Sequence, residues 1–85
     1  MIVIVYGPPG CGKTRNAGAL AKAFQCDTVH DGSEPSLEAL HQAGGSHLVL
    51  AQPSEVERLK SIYRSAPGGV RTIPWKSAAA RARVR

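Results

Sequence analysis

Near its start the chain carries residue types, in a fixed order, that are suited to holding phosphate groups. Residues 7–14 read GPPGCGKT, in which Gly7 and Gly12 are five positions apart and Lys13 and Thr14 directly follow Gly12. Glycines let a backbone approach a ligand closely, and the N–H groups of such a loop converge on phosphate oxygens. Lys13 would bring positive charge to the β- and γ-phosphates, and Thr14 would offer its hydroxyl to Mg²⁺. The segment therefore predicts a site for the phosphates of a nucleotide.

The flanking segments are those that must position such a loop. Residues 2–6 form a continuous, mostly β-branched run, which is typical of a strand covered on both faces in a parallel sheet. A helix is predicted from Lys13, with apolar residues at helical spacing from Ala17 to Phe24 on one face. The alternative is an ordinary glycine-rich turn with an exposed lysine, and the strand before the loop and the helix after it argue against that alternative.

The remaining segments repeat the alternation of strand and helix. Short strand patterns at 28–30, 47–51 and 70–73 are separated by two helix signals. The first helix has Ser33 as its predicted N-cap, and the second follows a capping-box pattern at 54–57. The alternation predicts an α/β fold: a minimal three-layer sandwich of about four mostly parallel strands with helices on both faces.

Charge is distributed unevenly along the chain, whose net charge is +5. Residues 1–75 hold seven Lys or Arg against six Asp or Glu, whereas residues 76–85 hold four Lys or Arg and no acid. We therefore expect a nucleotide-binding domain over residues 1–75 and a flexible basic tail over residues 76–85. Such a tail would suit nucleic acid or an acidic protein surface. The alternative is a frayed, solvated terminus.

Size and cysteine content limit the class of protein further. Eighty-five residues allow one domain with a modest core. Cys11 and Cys26 lack the spacing of a metal site, and no apolar stretch reaches membrane-spanning length. We expect a cytoplasmic protein with free thiols and no membrane partner.

GPPGCGKT resembles the Walker A loop of P-loop NTPases, and Pro8-Pro9-Gly10 makes it most similar to the AAA-type branch. The arrangement is also similar to very small ATP-binding proteins of phages and prophages. The resemblance implies ATP and Mg²⁺ as cofactors. The residues that it implies for cofactor binding are Gly7, Pro8, Pro9, Gly10, Cys11, Gly12, Lys13, Thr14 and Arg15.

The same resemblance implies a catalytic set of Lys13, Asp31 and Gln52. Asp31 ends the strand pattern that begins at Thr28, and it would join Thr14 in holding Mg²⁺; the alternative is a residue of an Asp-Gly turn. Gln52 follows a buried strand and would face the γ-phosphate; the alternative is a polar residue that merely leaves the strand. Together these analogies imply the strand order 4-1-3-2, which is the AAA order with one strand removed. A kinase-like order is the alternative.

Three further residues have two interpretations each. Arg64 and Arg71 would serve as an arginine finger or as solvated surface residues. Trp75 would stack on a base or cover the edge of the core.

The residues and the resemblance together predict a protein that binds ATP with Mg²⁺ and hydrolyses it weakly or only with a partner. If it is an enzyme, it is an ATP phosphohydrolase. The alternative is a non-catalytic, phage-type interaction or nucleic-acid-associated protein whose loop only binds nucleotide or is vestigial. The chain lacks the lid domain with which AAA proteins build rings, so a monomer is the default expectation.

Overall fold

Four short parallel strands form the sheet of a computed structural model that describes residues 1–8, 10, 12–31, 35–66 and 68–83. The strands are β1 (Ile2–Tyr6), β2 (Thr28–Asp31), β3 (His47–Ala51) and β4 (Val70–Pro74). The helices are α1 (Ala17–Ala23), α2 (Leu37–Ala43), α3 (Val56–Ile62) and α4 (Trp75–Ala82), with a 3-10 turn at Pro53–Glu55. The predicted α/β class is confirmed.

The strand order in the sheet is β2-β3-β1-β4. This is the predicted order 4-1-3-2 read in the reverse direction. All three strand pairs are parallel, and Ile2 is level with both His47 and Val70. Because parallel strands end at the same side, the residues that follow β1, β3 and β4 meet along one edge of the sheet, which we call the carboxyl edge. The continuous apolar run at 2–5 is buried on both faces, as expected for a central strand.

Each face of the sheet has its own apolar core. On one face, α2 and α3 cover residues of β1 and β3; on the other, α1 and α4 cover the alternate residues of the same strands. The first core includes Ile2, Ile4, Leu40, Val49, Leu59 and Tyr63. The second consists of Val3, Val5, Leu20, Leu48, Leu50 and Ala78.

Helix α1 begins at Ala17, so the prediction of a helix from Lys13 was wrong by one turn. Residues 13–16 form hydrogen-bonded turns instead, and Ala17 N–H donates to the carbonyl of Thr14 at 3.3 Å. Asn16 is the N-cap, with a non-helical backbone, and its amide Nδ2 donates to the Gly12 carbonyl at 2.9 Å. Asparagine side chains compete with the helix for local backbone partners, which delays the helix start here.

The prediction of a flexible tail from residue 76 differs from what the structure shows. Residues 75–82 form α4, which packs beside α1 and buries Ala78 completely. Eight residues rich in alanine are too few to hold a helix alone, so packing against α1 stabilises it. The part of the predicted tail within residues 75–82 is therefore helical and packed against α1.

Two predicted helix caps are displaced. The box expected at 54–57 lies two residues earlier, where the Glu55 carboxylate accepts from Gln52 N–H at 2.8 Å. Pro53 favours that earlier start because proline suits the first position of a helical turn. The predicted cap Ser33 lies outside the described residues, and α2 is capped by Ser36, whose hydroxyl accepts from Ala39 N–H at 3.1 Å.

Candidate phosphate-binding site

The glycine-rich loop leaves the middle of the sheet at the carboxyl edge. β1 ends at Tyr6, and Gly7 N–H donates to the Ala51 carbonyl at 3.1 Å, which extends the pairing of β1 with β3 by one residue. Gly7 is buried by this contact, whereas Pro8 is exposed. The loop is thus anchored to the two central strands before it turns outward.

Two glycines give the loop its path. Gly10 and Gly12 have φ angles of +79° and +105°, a region that side-chain-bearing residues rarely occupy. A Cβ at Gly10 would meet no atom within 4 Å, so only its backbone conformation requires glycine. Pro9 and Cys11, both predicted to contact the cofactor, lie outside the described residues.

The side chain of Lys13 contacts the backbone of the glycine-rich loop. Its half-buried Nζ donates to the Gly7 carbonyl at 2.6 Å and to the Pro8 carbonyl at 3.2 Å. The ammonium group therefore lies at the start of the loop, beside the carbonyls of Gly7 and Pro8. A phosphate that enters the loop would replace neutral carbonyl acceptors with charged ones, which bind an ammonium more strongly.

Two contacts to Gly12 were not predicted from the sequence. The Gly12 carbonyl accepts from both Asn16 Nδ2 at 2.9 Å and Asn16 N–H at 3.1 Å. The indole of Trp75 is also close, because a Cβ built on Gly12 would be 3.5 Å from Trp75 Cζ2. An asparagine four residues after a loop glycine was the available sequence signal, whereas the approach of Trp75 depends on tertiary packing.

Thr14 and Arg15 lie in the turn that follows Lys13, and both are exposed. Within the described part of the chain, no three His, Cys, Asp or Glu side chains come together in a way that could hold a metal ion. Mg²⁺ commonly binds through one or two protein groups together with nucleotide phosphates, so the chemistry available here suits a metal that arrives with its nucleotide. Thr14, which directly follows Lys13, carries a side-chain oxygen that could bind such a metal.

Gln52 and Asp31 are placed very differently relative to the loop. Gln52 follows Ala51, the residue paired with Tyr6, so it stands beside the first loop residue at the carboxyl edge. Asp31 ends β2, which β3 separates from β1, so it lies two strands, or about 10 Å, from β1. Both residues are exposed. The fold thus brings Gln52 to the loop and leaves Asp31 at the outer strand.

The two residues considered as possible arginine fingers, Arg64 and Arg71, do not lie at the carboxyl edge, where the loop of the same chain lies. Arg71 is level with Val3, in the first half of β4. Arg64 follows α3. This helix begins close to Gln52 and runs back toward the side of the sheet where the strands begin. Both side chains are exposed. An arginine contribution in cis therefore has no support from their positions.

Away from the loop, two groups have altered proton affinities. Burial, and to a smaller extent the neighbouring Asp27 carboxylate, raises the pKa of the Cys26 thiol, so the thiol stays protonated and unreactive. Burial, with a smaller effect of His47, lowers the pKa of His30. His30 Nε2 and His47 Nδ1 are 3.1 Å apart on the face covered by α2 and α3, and His47 is buried.

Comparison with known proteins identifies one family. The family model described as "ATPase family associated with various cellular activities (AAA)" matches residues 3–66, which include β1, the loop and all elements through α3. No curated protein and no solved structure matched the chain. In the described residues, no helix has the length and apolarity needed to cross a membrane.

Proposed function

The chain belongs to the AAA family of ATPases, and we propose that it binds ATP with Mg²⁺ through the loop at residues 7–14. Family membership supports a nucleotide-binding P-loop function in general terms. The assignment of ATP, of the metal and of each contact residue is our proposal. Thr14, the last residue of the loop, is the predicted contact to the metal, and Arg15, which follows the loop, is a predicted contact to the nucleotide.

The observation that carries the proposal is the position of Lys13. Its Nζ lies 2.6 Å from the Gly7 carbonyl, which holds the charge inside the loop. The positive φ angles of Gly10 and Gly12 curve the backbone around that point. A glycine-rich loop that carries a lysine and follows a strand suits an anion by its electrostatics, and a triphosphate carries the charge to match it.

We further propose that ATP hydrolysis is weak or depends on a partner. Thr14 would help to hold Mg²⁺, which would supply positive charge to the phosphates. Lys13 would stabilise the charge that develops on the transferred phosphoryl group, and Gln52, beside the loop, would orient a water. Asp31 would act on the metal only through intervening water, because it ends a strand two positions away from β1 in the sheet. A partner that supplied an arginine would complete the site.

Binding without turnover is the second candidate function. It is favoured by the same outer position of Asp31. In that case the nucleotide would act as a ligand that stabilises the fold rather than as a substrate.

Nucleotide binding can be measured through Trp75, the only tryptophan, because its indole lies against Gly12. We expect Mg·ATP to change the Trp75 emission and the change to saturate. Lys13→Ala should weaken binding by at least about tenfold, since a charged hydrogen bond to phosphate contributes about 1.5–3 kcal/mol. Lys60→Ala removes a cation from the exposed face of α3 and is the matched control. Equal affinity of all three proteins would contradict the proposal.

Phosphate release then separates the two candidates. Wild-type protein that binds ATP and releases phosphate is an enzyme, and Gln52→Ala should then slow release more than it weakens binding. Protein that binds ATP and an analogue with a non-hydrolysable γ-phosphate equally, and releases no phosphate, is a binding module. Asp31→Asn should have little effect on binding in either case, because the carboxylate is far from the loop.

A further inference from the structure

The two helical layers of the fold differ in charge. The layer formed by residues 12–26 and 75–83, which includes α1 and α4, contains no Asp or Glu. Its basic residues are Lys13, Arg15, Lys22, Lys76, Arg81 and Arg83. We call the surface of these two segments the basic layer. The sequence alone suggested a basic tail, and the fold joins that tail to basic residues of the first helix.

The opposite helical layer has equal numbers of acidic residues and of Lys or Arg. Residues 35–46 and 52–66, which include α2 and α3, contain three acidic residues and three Lys or Arg. Its cations are also partly paired, since Arg58 lies 3.3 Å from Glu55 and Lys60 lies 3.7 Å from Glu57. Among the described residues of the two helical layers, the excess positive charge therefore lies on one side of the sheet.

The basic layer is a fixed surface rather than a loose arm. α1 and α4 both start at the carboxyl edge and lie side by side, so they run parallel to each other. The guanidinium of Arg81 lies 5.2 Å from the centre of the Phe24 ring, which joins the far ends of the two helices. All of its cations except the half-buried Lys13 are exposed. Their side chains thus present a ready-made field of positive charge, with no ordering of the backbone required.

We propose that the basic layer binds the phosphate backbone of nucleic acid without reading its sequence. Dense, exposed cations with no acidic residue match a polyanion. The aromatic rings of the layer are not free to stack on bases, since Trp75 is half-buried against Gly12 and Phe24 is half-buried beneath Arg81. Binding therefore rests on phosphate contacts and shows no preference for single strands over duplex.

An anionic membrane is a less suitable partner for the same surface. Basic helices that bind membranes insert large apolar side chains beside their cations. The exposed large apolar residues in the described part of the chain are Met1 and Ile62, and neither lies in the basic layer. The surface offers charge alone, which favours nucleic acid.

The test compares two triple variants that remove equal charge from opposite layers. Lys22→Gln, Lys76→Gln and Arg83→Gln alter the basic layer, whereas Arg58→Gln, Lys60→Gln and Arg64→Gln alter α3 and the residue shortly after it. Arg81 is kept because it packs on Phe24. Both variants retain the whole phosphate loop, so ATP binding reported by Trp75 is measured separately and its failure would not be confused with failure here.

The measurement is binding of a fluorescent 20-base-pair duplex, and of the matching single strand, over a range of salt concentrations. If all five exposed cations contact phosphates, the slope of log K against log salt for the duplex should be about −4.5, and the basic-layer variant should reduce its magnitude to about 1.8. The α3 variant should keep the wild-type slope. Circular dichroism establishes that both variants are folded.

Three results would overturn the proposal. The first is no salt-sensitive binding of duplex by the wild type. The second is an equal loss in both variants, which would mean that net charge alone is responsible. The third is tighter binding to vesicles of phosphatidylserine and phosphatidylcholine than to duplex, with the same loss in the basic-layer variant, which would identify a membrane as the partner.

Discussion

Gly12 is the residue on which the loop, the first helix and the last helix meet. Its carbonyl accepts from Asn16, and its Cα faces the indole of Trp75. The motif itself could be predicted from the sequence, because glycine, lysine and threonine at this spacing, directly after a buried strand, indicate a phosphate-binding loop. The two contacts could not, since both depend on how the chain folds back on the loop.

Substitution of Gly12 tests the contacts with Asn16 and Trp75, and Gly10, which also has a positive φ angle, is the control position. Gly12→Ala should lower the free energy of unfolding by at least about 1 kcal/mol more than Gly10→Ala. Both residues have positive φ, but only at Gly12 would the new Cβ lie 3.3 Å from Asn16 Nδ2 and 3.5 Å from Trp75. Urea unfolding followed by circular dichroism measures the difference. Equal losses at the two glycines would show that the neighbours of Gly12 are not in contact.

His30 provides a prediction about pH. Its pKa is lowered from the ordinary value of 6.5, chiefly by burial, so the unfolded chain takes up the proton first as the pH falls. The stability due to neutral His30 is present above about pH 6.5 and is lost as the pH falls below that value. The urea midpoint should therefore decrease between about pH 7.5 and pH 5.5.

The variant His30→Gln should flatten that decrease, because glutamine does not titrate. His41→Gln alters an exposed histidine on α2 and should keep the wild-type dependence. A slope that is unchanged in His30→Gln would locate the effect in another group.

At the scale of elements, helix starts were predicted less well than strands. The strands follow from short runs of apolar or β-branched residues bounded by turn residues, and each predicted strand is present within one residue. The start of α1 depends on Asn16, and α4 depends on packing against α1 rather than on its own propensity. Local patterns cannot reveal a helix that is stabilised by a partner distant in sequence.

The role of α4 can be tested at two alanines of the same helix. Ala78 is completely buried among Val5, Leu20 and Leu50, whereas Ala80 is exposed. Ala78→Glu should cost about 3 kcal/mol or more in unfolding free energy, because it places a carboxylate in an apolar core. Ala80→Glu should cost less than about 0.5 kcal/mol. Equal, small effects would mean that residues 76–82 form the flexible tail expected from sequence.

At the scale of the whole molecule, the order of strands was predictable and the distribution of charge was not. The order followed from treating Asp31 and Gln52 as ends of the outer and inner strands, and the sheet has that order. The basic layer appears only when α1 and α4 are placed side by side. In the same way, register alone shows that Asp31 is remote from the loop while Gln52 is near it.

A chain of 85 residues has a modest core, so a ligand held by the loop should add substantially to its stability. At a concentration one hundred times the dissociation constant, a ligand adds about 2.7 kcal/mol. For a domain of this size that corresponds to a rise of roughly 10–20 °C in the midpoint of thermal unfolding. The rise should come from the phosphates, since the contacts inferred here are to phosphate.

Thermal unfolding of the wild type and Lys13→Ala with Mg·ATP, Mg·tripolyphosphate or adenosine shows directly whether residues 7–14 bind phosphate. We predict that ATP and tripolyphosphate, each at about one hundred times its dissociation constant, raise the wild-type midpoint by roughly 10–20 °C, and that adenosine leaves it unchanged. In Lys13→Ala, a tenfold weaker affinity would reduce the rise to about half at the same ligand concentration, and a greater loss of affinity would reduce it further. A rise of equal size in Lys13→Ala, or a rise with adenosine alone, would contradict the assignment of residues 7–14 as the phosphate site.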